Sequence, residues 1–368
     1  MIAVITENTI QNNRPARYDA VTVHALPMKK DKTLSMLSRL NIDKFLLYLI
    51  ATVIVASLLP ASGEFAEAFS VATTIAIALL FFLHGARLSP KTVLEGITHW
   101  RLHLVIFAST FVLFPLLGLI IGLISPELLS PALYMGVLFL CVLPSTVQSS
   151  IAFTSIAGGN IPAAICSASA SNILGMFLTP VLVGLLLTTQ GSSNGASLDA
   201  VTSILLQLLA PFLLGQLLQP WIGGWVRAHK KHLSLVDRGS ILMVVYIAFS
   251  EAVISGLWGK LSVTGLITMV IVDCILLAVV LIITTYASRL LKFSKEDEIT
   301  VVFCGSKKTL ASGIPMANVL FSPQDVGSIV LPLMLFHQIQ LFVCAVLARR
   351  YANQRLSEAS STPAQQGA

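Results

Sequence analysis

Residues 303–315 read Phe303-Cys304-Gly305-Ser306-Lys307-Lys308-Thr309-Leu310-Ala311-Ser312-Gly313-Ile314-Pro315 and place two adjacent lysines inside an apolar stretch. A lysine at the centre of a bilayer costs about 2.5–3.5 kcal/mol, so intramembrane cations usually face a protein interior or a watery cavity and mark a functional site. Gly305, Gly313 and Pro315 bracket the lysines. Such breaks are tolerated at membrane depth only where the freed backbone is buried in protein or lines a cavity. The segment therefore predicts a broken transmembrane helix.

A second segment of the same character lies 158 positions earlier and reads Pro144-Ser145-Thr146-Val147-Gln148-Ser149-Ser150-Ile151-Ala152-Phe153-Thr154-Ser155-Ile156-Ala157-Gly158-Gly159-Asn160. Aligned without a gap, Gln148-Ser149-Ser150 falls on Ser306-Lys307-Lys308, and Asn160 falls on Asn318. Paired interruptions at corresponding positions of two halves are typical of the central binding site of a secondary transporter. The two segments together are the candidate binding region.

The composition of the chain excludes a soluble globule. The 368 residues are 55% hydrophobic and 11% charged, with a mean hydropathy of +0.86, which predicts a polytopic membrane protein. The five cysteines fall in apolar segments, which argues against a disulfide framework and against a clustered metal site. The sequence contains no basic patch interleaved with aromatic residues and none of the motifs of ATP-binding loops or intramembrane hydrolases. We therefore predict no nucleic-acid binding and no enzymatic activity.

Hydropathy from Phe45 onward resolves into ten spans, each near the roughly 20 residues that a bilayer requires. A cytoplasmic, largely disordered leader is predicted at 1–43, the transporter domain at 44–349 and a disordered cytoplasmic tail at 350–368. The predicted spans lie at about 45–61, 66–86, 102–124, 131–157, 162–187, 199–220, 239–259, 262–291, 297–321 and 326–349.

The distribution of basic residues predicts how these spans are oriented. With both termini in the cytoplasm, 20 of the 23 lysines and arginines lie on the inner side, as the positive-inside rule requires. The halves 45–187 and 199–349 then have five crossings each, so they enter the membrane from opposite sides, an arrangement associated with alternating access. The predicted fold is an all-α membrane protein with ten transmembrane helices, arranged as two inverted five-helix repeats with broken, crossing helices 4 and 9. The predicted location is the plasma membrane, or the inner membrane of a bacterium.

Three runs of residues carry a resemblance to a known family. They are Phe81-Phe82-Leu83-His84-Gly85-Ala86-Arg87-Leu88, Asp237-Arg238-Gly239-Ser240 and Cys304-Gly305-Ser306-Lys307-Lys308-Thr309-Leu310-Ala311. With these runs the chain resembles the bile acid:sodium symporter superfamily, and within it the SBF-like branch, over about residues 40–350. The resemblance implies a panel domain and a core domain, with the fourth and ninth spans crossing at their interruptions beside the substrate and ion sites.

The chain departs from the sodium-coupled members of that superfamily at their ion ligands. Their fourth-span motif ends in Ser-Asn, where this chain has Ser149 and Ser150, which still offer oxygen. Their ninth-span motif is Glu-x-Gly-x-Gln-Asn, with the Glu and Gln among the sodium ligands. Aligned on the shared glycine, this chain has Phe303, Lys307 and Lys308 at the Glu, Gln and Asn positions. Because an ammonium offers no oxygen to a cation, we expect neither a resident metal nor the familiar sodium site.

We hypothesise that the Lys307 ammonium occupies the space of a sodium ion and binds an anionic substrate directly. Burial and a neighbouring like charge both disfavour the protonated form of a lysine. The hypothesis therefore includes the loss and gain of a proton by Lys307 or Lys308 during the transport cycle. Coupling to sodium, to protons or to neither stays open. Glu251 is a candidate partner for the lysines, with a water-lined or interfacial carboxylate as the alternative. Asp273 is a second candidate partner for the lysines, and a structural hydrogen bond to a neighbouring helix is the alternative role for this residue.

Three further polar residues complete the predicted site. Ser171 and Asn172 lie on the fifth span, which in the family faces the fourth-span break; hydrogen bonding between helices is their alternative role. His337 on the tenth span is a candidate proton relay, with a hydrogen-bonded packing role as the alternative. The complete set of predicted substrate- and ion-binding residues is Ser149, Ser150, Ser171, Asn172, Glu251, Ser306, Lys307, Lys308, Thr309 and His337.

The sequence thus predicts a secondary transporter that carries a small organic anion by alternating access in the lipid bilayer. The alternative is a membrane protein on the same scaffold that does not transport and instead regulates ion homeostasis or cell-envelope processes. Stabilisation by a small-molecule ligand distinguishes the two, because a ligand that binds only the folded state raises apparent stability.

Overall fold

The computed structural model describes residues 44–87, 99–124, 129–189, 198–254, 256, 259 and 262–361. Helices account for most of these residues, and no β-strand occurs within the described ranges. Within the described ranges, six helical segments are long and apolar enough to cross a membrane. The all-α membrane class is therefore confirmed. The predicted leader and residues 362–368 of the predicted tail lie outside the described part of the chain.

We number the helices in chain order. Together they overlap all ten predicted spans, while the membrane crossings and the inverted symmetry stay predictions. A π-helical segment, Ser109–Leu113, joins α3 to α4. The helices are α1 (Lys44–Leu58), α2 (Gly63–Arg87), α3 (Trp100–Ala108), α4 (Phe114–Ile124), α5 (Pro131–Val142), α6 (Gln148–Ala157), α7 (Ile161–Thr189), α8 (Leu198–Ala228), α9 (Lys230–Ile254), α10 (Val263–Leu290), α11 (Lys295–Gly305), α12 (Leu310–Leu320) and α13 (Pro323–Ser361).

The predicted span 131–157 consists of two helices with a non-helical gap between them. Helix α5 ends at Val142, and α6 begins at Gln148. Pro144 lies in the gap; it has no N–H, and it restricts the residue before it to an extended backbone. Leu143 is extended, with φ −72° and ψ 152°. The carbonyl groups at the end of α5 are thereby left without helical donors.

The predicted span 297–321 is interrupted in the same way. Helix α11 ends at Gly305, and α12 begins at Leu310, so the non-helical gap contains both lysines. Gly313 and Pro315, the predicted flank of the break on its C-terminal side, lie inside α12. The interruption is therefore shorter than the spacing of Gly and Pro indicates, and it is centred on the lysines.

The third predicted span contains a wide helical turn, for which the sequence pattern gives no signal. Within the π-helical segment, the Phe114 N–H donates to the Ser109 carbonyl, five residues earlier. In the same pattern the Thr110 carbonyl would accept from residue 115, which is a proline and has no N–H. The Thr110 carbonyl is therefore free to accept a hydrogen bond from elsewhere in the protein.

Helices α2 and α8 cross at unusually close range. A Cβ atom added at Gly85 would collide with the backbone carbonyl of Phe212 on α8, and one added at Gly215 would collide with that of Phe82 on α2. Small residues allow helix backbones to approach in this way in membrane proteins. At the end of α2, Arg87 forms an ion pair with Asp237 on α9, which brings two of the sequence runs quoted above into contact.

Helix α13 extends beyond residue 350, where the predicted tail begins. It continues to Ser361, so the tail that was expected to be disordered from residue 350 is helical over its first turns. Tyr351 is 8% exposed, and its hydroxyl donates to Glu298 on α11. Arg355 packs against the left-handed Gly158 after α6, where no Cβ is in the way. These contacts hold the extension of the helix, whereas composition alone indicated a flexible tail.

Many large apolar side chains lie on the outside of the protein. Examples are Leu58, Leu123 and Leu290, which are 74%, 82% and 83% exposed. Exposed apolar surface on this scale marks an interaction surface, and for long apolar helices the partner is the hydrocarbon of a bilayer. The polar groups lie inside, around the two interruptions.

Candidate substrate and ion site

The two interruptions lie against each other in the protein interior. Each is tied to the other through backbone groups, which are available because the helices stop there. The side chains at the junction are buried, and Ser145, Ser150 and Ser306 have no exposed surface. Three hydrogen bonds join the segments: the Thr309 N–H donates to the Pro144 carbonyl (3.0 Å), the Ser145 hydroxyl to the Cys304 carbonyl (2.6 Å), and the Ser150 hydroxyl to the Phe303 carbonyl (3.0 Å).

Lys308 is held by three backbone carbonyl groups. Its side chain is completely buried, and its Nζ donates to the carbonyl oxygens of Thr110 (2.8 Å), Cys141 (2.8 Å) and Leu143 (2.7 Å). The first carbonyl is the one freed by the π-turn, and the other two lie at the end of α5, where the helix dipole is negative. An ammonium has three N–H groups, so this set satisfies it fully. The Phe114 ring lies 4.1 Å from Nζ and adds a cation–π contact.

Gln340 on α13 holds the backbone of the same lysine. The Lys308 N–H donates to Gln340 Oε1, and Gln340 Nε2 donates to the Lys308 carbonyl, each at 2.9 Å. The amide thus replaces the helical partners that the interruption removes. Gln340 Nε2 also lies 2.8 Å from His337 Nδ1. The predicted residue His337 is therefore linked to Lys308 through Gln340 and does not contact the ammonium in these hydrogen bonds.

Lys307 points in a different direction and has a different environment. It is also completely buried, but among the residues that the structure describes its Nζ donates only one hydrogen bond, to the Ser149 carbonyl at 2.8 Å. The rings of Phe153 and Phe303 lie 4.2 Å and 5.2 Å from Nζ. Aromatic faces attract a cation but accept hydrogen bonds only weakly. The Lys307 ammonium therefore retains donor capacity that Lys308 does not have.

Helix α7 contributes a polar network on the other side of the junction. The Ser171 hydroxyl accepts from the Ser145 N–H at 3.0 Å, and Asn172 Nδ2 donates to the Ser145 carbonyl at 2.7 Å. The Ser312 hydroxyl on α12 lies 3.3 Å from Asn172 Oδ1 and 3.3 Å from Thr309 Oγ1. These bonds fix the α5–α6 gap to α7 and to the start of α12.

The remaining predicted residues have separate positions. The Ser306 hydroxyl donates to the Val302 carbonyl of the preceding helix at 2.6 Å, so it caps the end of α11. Glu251 lies on α9 and is partly exposed. Among the described residues it forms no salt bridge with Lys307 or Lys308. The structure therefore brings the serines, Asn172 and the lysines together but does not bring Glu251 into an ion pair with them.

Asp273 on α10 is a buried carboxyl group near the site. It has no exposed surface, and in the described part of the chain neither of its oxygens has a hydrogen-bond partner. The alternative role of Asp273, a structural hydrogen bond to a neighbouring helix, is therefore not found in the described part of the chain. Burying a carboxyl group without a hydrogen-bond partner is costly, so a neutral isostere should be tolerated at this position.

Several residues of the site carry no sequence signal for their role. Thr110, Cys141 and Leu143 act through carbonyl groups, which every residue has, so side-chain type does not reveal them. Phe153 reads as an ordinary apolar residue. Gln340 was detectable as an intramembrane amide beside His337, but the sequence does not show that it binds the backbone of Lys308.

Apolar helices that enclose two lysines at the junction of two interrupted helices have the construction of a membrane transporter. The comparisons with known proteins agree with this class. The chain belongs to the SBF-like CPA transporter family, whose model matches residues 43–353. It is therefore an integral, multi-pass membrane protein and a transporter of this family, and the predicted absence of enzymatic activity is confirmed by the family.

Individual relatives span nearly the same length. The chain is 59% identical over 313 residues to "Uncharacterized protein PA2026" of Pseudomonas aeruginosa, which covers 85% of this chain and 94% of that protein. It is 56% identical over 313 residues to "Putative symporter YfeH" of Escherichia coli (strain K12), with the same coverage of 85% and 94%. It is 26% identical over 319 residues to "Sodium/bile acid cotransporter 7" of Rattus norvegicus, covering 85% of this chain and 93% of that protein. The resemblance to the bile acid:sodium symporter superfamily, SBF-like branch, is thereby confirmed.

Proposed function

We propose that the protein is a secondary transporter that carries a small organic anion by alternating access and works without bound sodium. The observation that carries the proposal is the burial of Lys307 and Lys308 where two interrupted helices meet. A buried cation with spare donors, as at Lys307, suits a carboxylate, sulfonate or phosphate group. The names of the relatives, which include a sodium/bile acid cotransporter, support an organic anion as the substrate class.

The topology in this proposal has ten crossings, both termini in the cytoplasm and two inverted repeats. Packing supports the repeat. Helix α2 packs on α8, and α1 packs on α9. Helices α1, α2, α8 and α9 lie in predicted spans one, two, six and seven. If an inverted repeat relates span one to span six and span two to span seven, it superimposes the α1–α9 pair on the α8–α2 pair. The four helices form a panel in this proposal, and the other helices form a core around the interruptions.

The two lysines have separate tasks in the proposed mechanism. Lys308 replaces a bound cation: its ammonium lies among three carbonyl oxygens, which are the type of ligand that sodium uses. Lys307 is the substrate ligand, since it has one hydrogen bond to a carbonyl and two aromatic neighbours. Both side chains have no exposed surface in this structure, so an anion reaches Lys307 only after the surrounding helices move. That requirement supports alternating access.

Two features support independence from sodium. The Glu, Gln and Asn of the coupled relatives' motif are replaced here by Phe303, Lys307 and Lys308. The carbonyl groups around Lys308 already accept hydrogen bonds from its ammonium, so they are not available to a sodium ion. A proton exchanged at Lys307 remains an available coupling ion in the proposal, and simple uniport is the other form of sodium-independent transport.

Uptake by the purified protein in liposomes tests the proposal. Labelled organic anions, including a bile acid, are offered under an inward sodium gradient, an inward proton gradient or neither. We expect uptake that is unaffected by sodium and that falls at least tenfold in Lys307→Gln, while Lys292→Gln, which changes a lysine outside the site, behaves as wild type. Uptake that requires sodium and ignores pH would overturn sodium independence. No uptake, together with no thermal stabilisation by any anion, would instead support the non-transporting regulator.

A further inference from the structure

An open groove of about 450 Å³ runs along the outer surface between α10 and α13. On α10 it is lined by Ile282, Tyr286 and Arg289, which are spaced four and three residues apart and so share one face of the helix. Ile282 and Tyr286 are exposed on the surface that faces the bilayer. This wall is therefore apolar along most of its length and ends in a cation.

Helix α13 forms the other wall in the same pattern. Phe342, Val346 and Arg350 line the groove at intervals of four residues, and Phe342 and Val346 are exposed. The apolar side chains come first and the arginine comes last, as on α10. Over eight residues each wall is about 12 Å long, which is most of the roughly 15 Å depth of one leaflet.

The two arginines lie at the same end of the groove. Arg289 donates to Glu298 through Nε at 3.2 Å, and the hydroxyl of Tyr351, the neighbour of Arg350, donates to the same carboxylate at 3.2 Å. Lys295 also bonds to Glu298, at 2.7 Å. The Glu298 carboxylate thus pairs with two cations, Arg289 and Lys295. Arg350 has no carboxylate partner among the residues that the structure describes. The end of the groove carries a net positive charge.

We propose that this groove binds an anionic phospholipid. One acyl chain lies along the apolar walls, and the phosphate contacts Arg289 and Arg350. Arginine binds phosphate in a charge-assisted, often bidentate way, and Arg289 remains 57% exposed despite its ion pair. An apolar groove that covers most of the depth of a leaflet, with cations at one end, matches the acyl chain and phosphate of a lipid. A soluble anion would contact the cations but not the apolar walls. This site lies on the outer surface and does not depend on the transport proposal.

Native mass spectrometry of the full-length protein in detergent, titrated with phosphatidylglycerol or phosphatidylcholine of the same chain length, tests the proposal. We expect tighter binding of phosphatidylglycerol and about fivefold weaker binding in Arg350→Gln, since a juxtamembrane cation contributes about 1 kcal/mol to the binding of anionic lipid. Arg349→Gln is the matched control. It removes the same charge from the adjacent exposed residue, which does not line the groove, and its affinity should not change.

A second variant tests the apolar part of the groove. Val346→Trp fills the groove while keeping both arginines. It should therefore weaken phosphatidylglycerol binding without a change in the thermal midpoint of the lipid-free protein. Equal affinity for the two lipids would overturn the proposal. So would an equal loss in Arg349→Gln and Arg350→Gln, or full binding in Val346→Trp.

Discussion

Replacing each buried lysine by methionine separates the roles that the structure gives them. In Lys308→Met, three carbonyl oxygens lose their donor inside the protein. An unsatisfied buried acceptor costs at least about 1 kcal/mol, so the expected loss in the free energy of unfolding is about 3 kcal/mol. In Lys307→Met, one carbonyl loses its donor, which gives about 1 kcal/mol. Methionine keeps a contact with the aromatic rings in both variants, so those contacts largely cancel.

The measurement is equilibrium unfolding of both variants and the wild type in mixed micelles, followed by tryptophan fluorescence, with the anion-uptake assay run in parallel. Lys308→Met should be less stable than Lys307→Met by about 2 kcal/mol. Lys307→Met should lose uptake while remaining folded. Equal destabilisation by the two substitutions, or a greater loss in Lys307→Met, would refute the assignment of Lys308 as the structural cation.

Three further predictions concern the surroundings of the site. Gln340→Leu removes both hydrogen bonds to the backbone of Lys308 and should lower the free energy of unfolding by about 2 kcal/mol; an unchanged unfolding curve would contradict this. Asp273→Asn replaces a buried carboxyl group that has no hydrogen-bond partner in the described part of the chain by a neutral amide, so its thermal midpoint should equal or exceed that of the wild type; a clear drop would indicate that the carboxyl group makes a stabilising interaction. Gly215→Ala forces a methyl group against the backbone of α2 and should cost about 1–3 kcal/mol, whereas Gly239→Ala, which has open space, should not; equal effects would argue against the close helix crossing.

The position of the candidate site could be predicted from the sequence, because charge inside an apolar span is rare and requires a protein interior. The two lysines and the polar residues of the paired segment supplied that signal. The helix boundaries were less predictable: Gly313 and Pro315 suggested a longer gap, but α12 accommodates both. The extension of α13 depends on contacts of Tyr351, which hydropathy does not report.

The difference between the two lysines could not be predicted. Adjacent residues in a non-helical segment point in different directions, and the backbone path that sets those directions depends on tertiary contacts. The acceptors of Lys308 are carbonyl groups freed by a π-turn and by the end of a helix. The proline after the π-turn was visible in the sequence, but its consequence for a lysine about 200 residues later was not.

The tether of Lys308 changes what this position does during a cycle. A free ion enters and leaves, and its electrochemical gradient can supply work each time it does so. The Lys308 ammonium is joined to the chain by four methylene groups, so its local concentration does not depend on the medium. The space among the three carbonyl oxygens therefore stays occupied at low and at high salt concentration. In the proposed mechanism, the stability of the junction is therefore decoupled from external salt, and the driving force for uptake has to come from the cargo's own gradient or from protons.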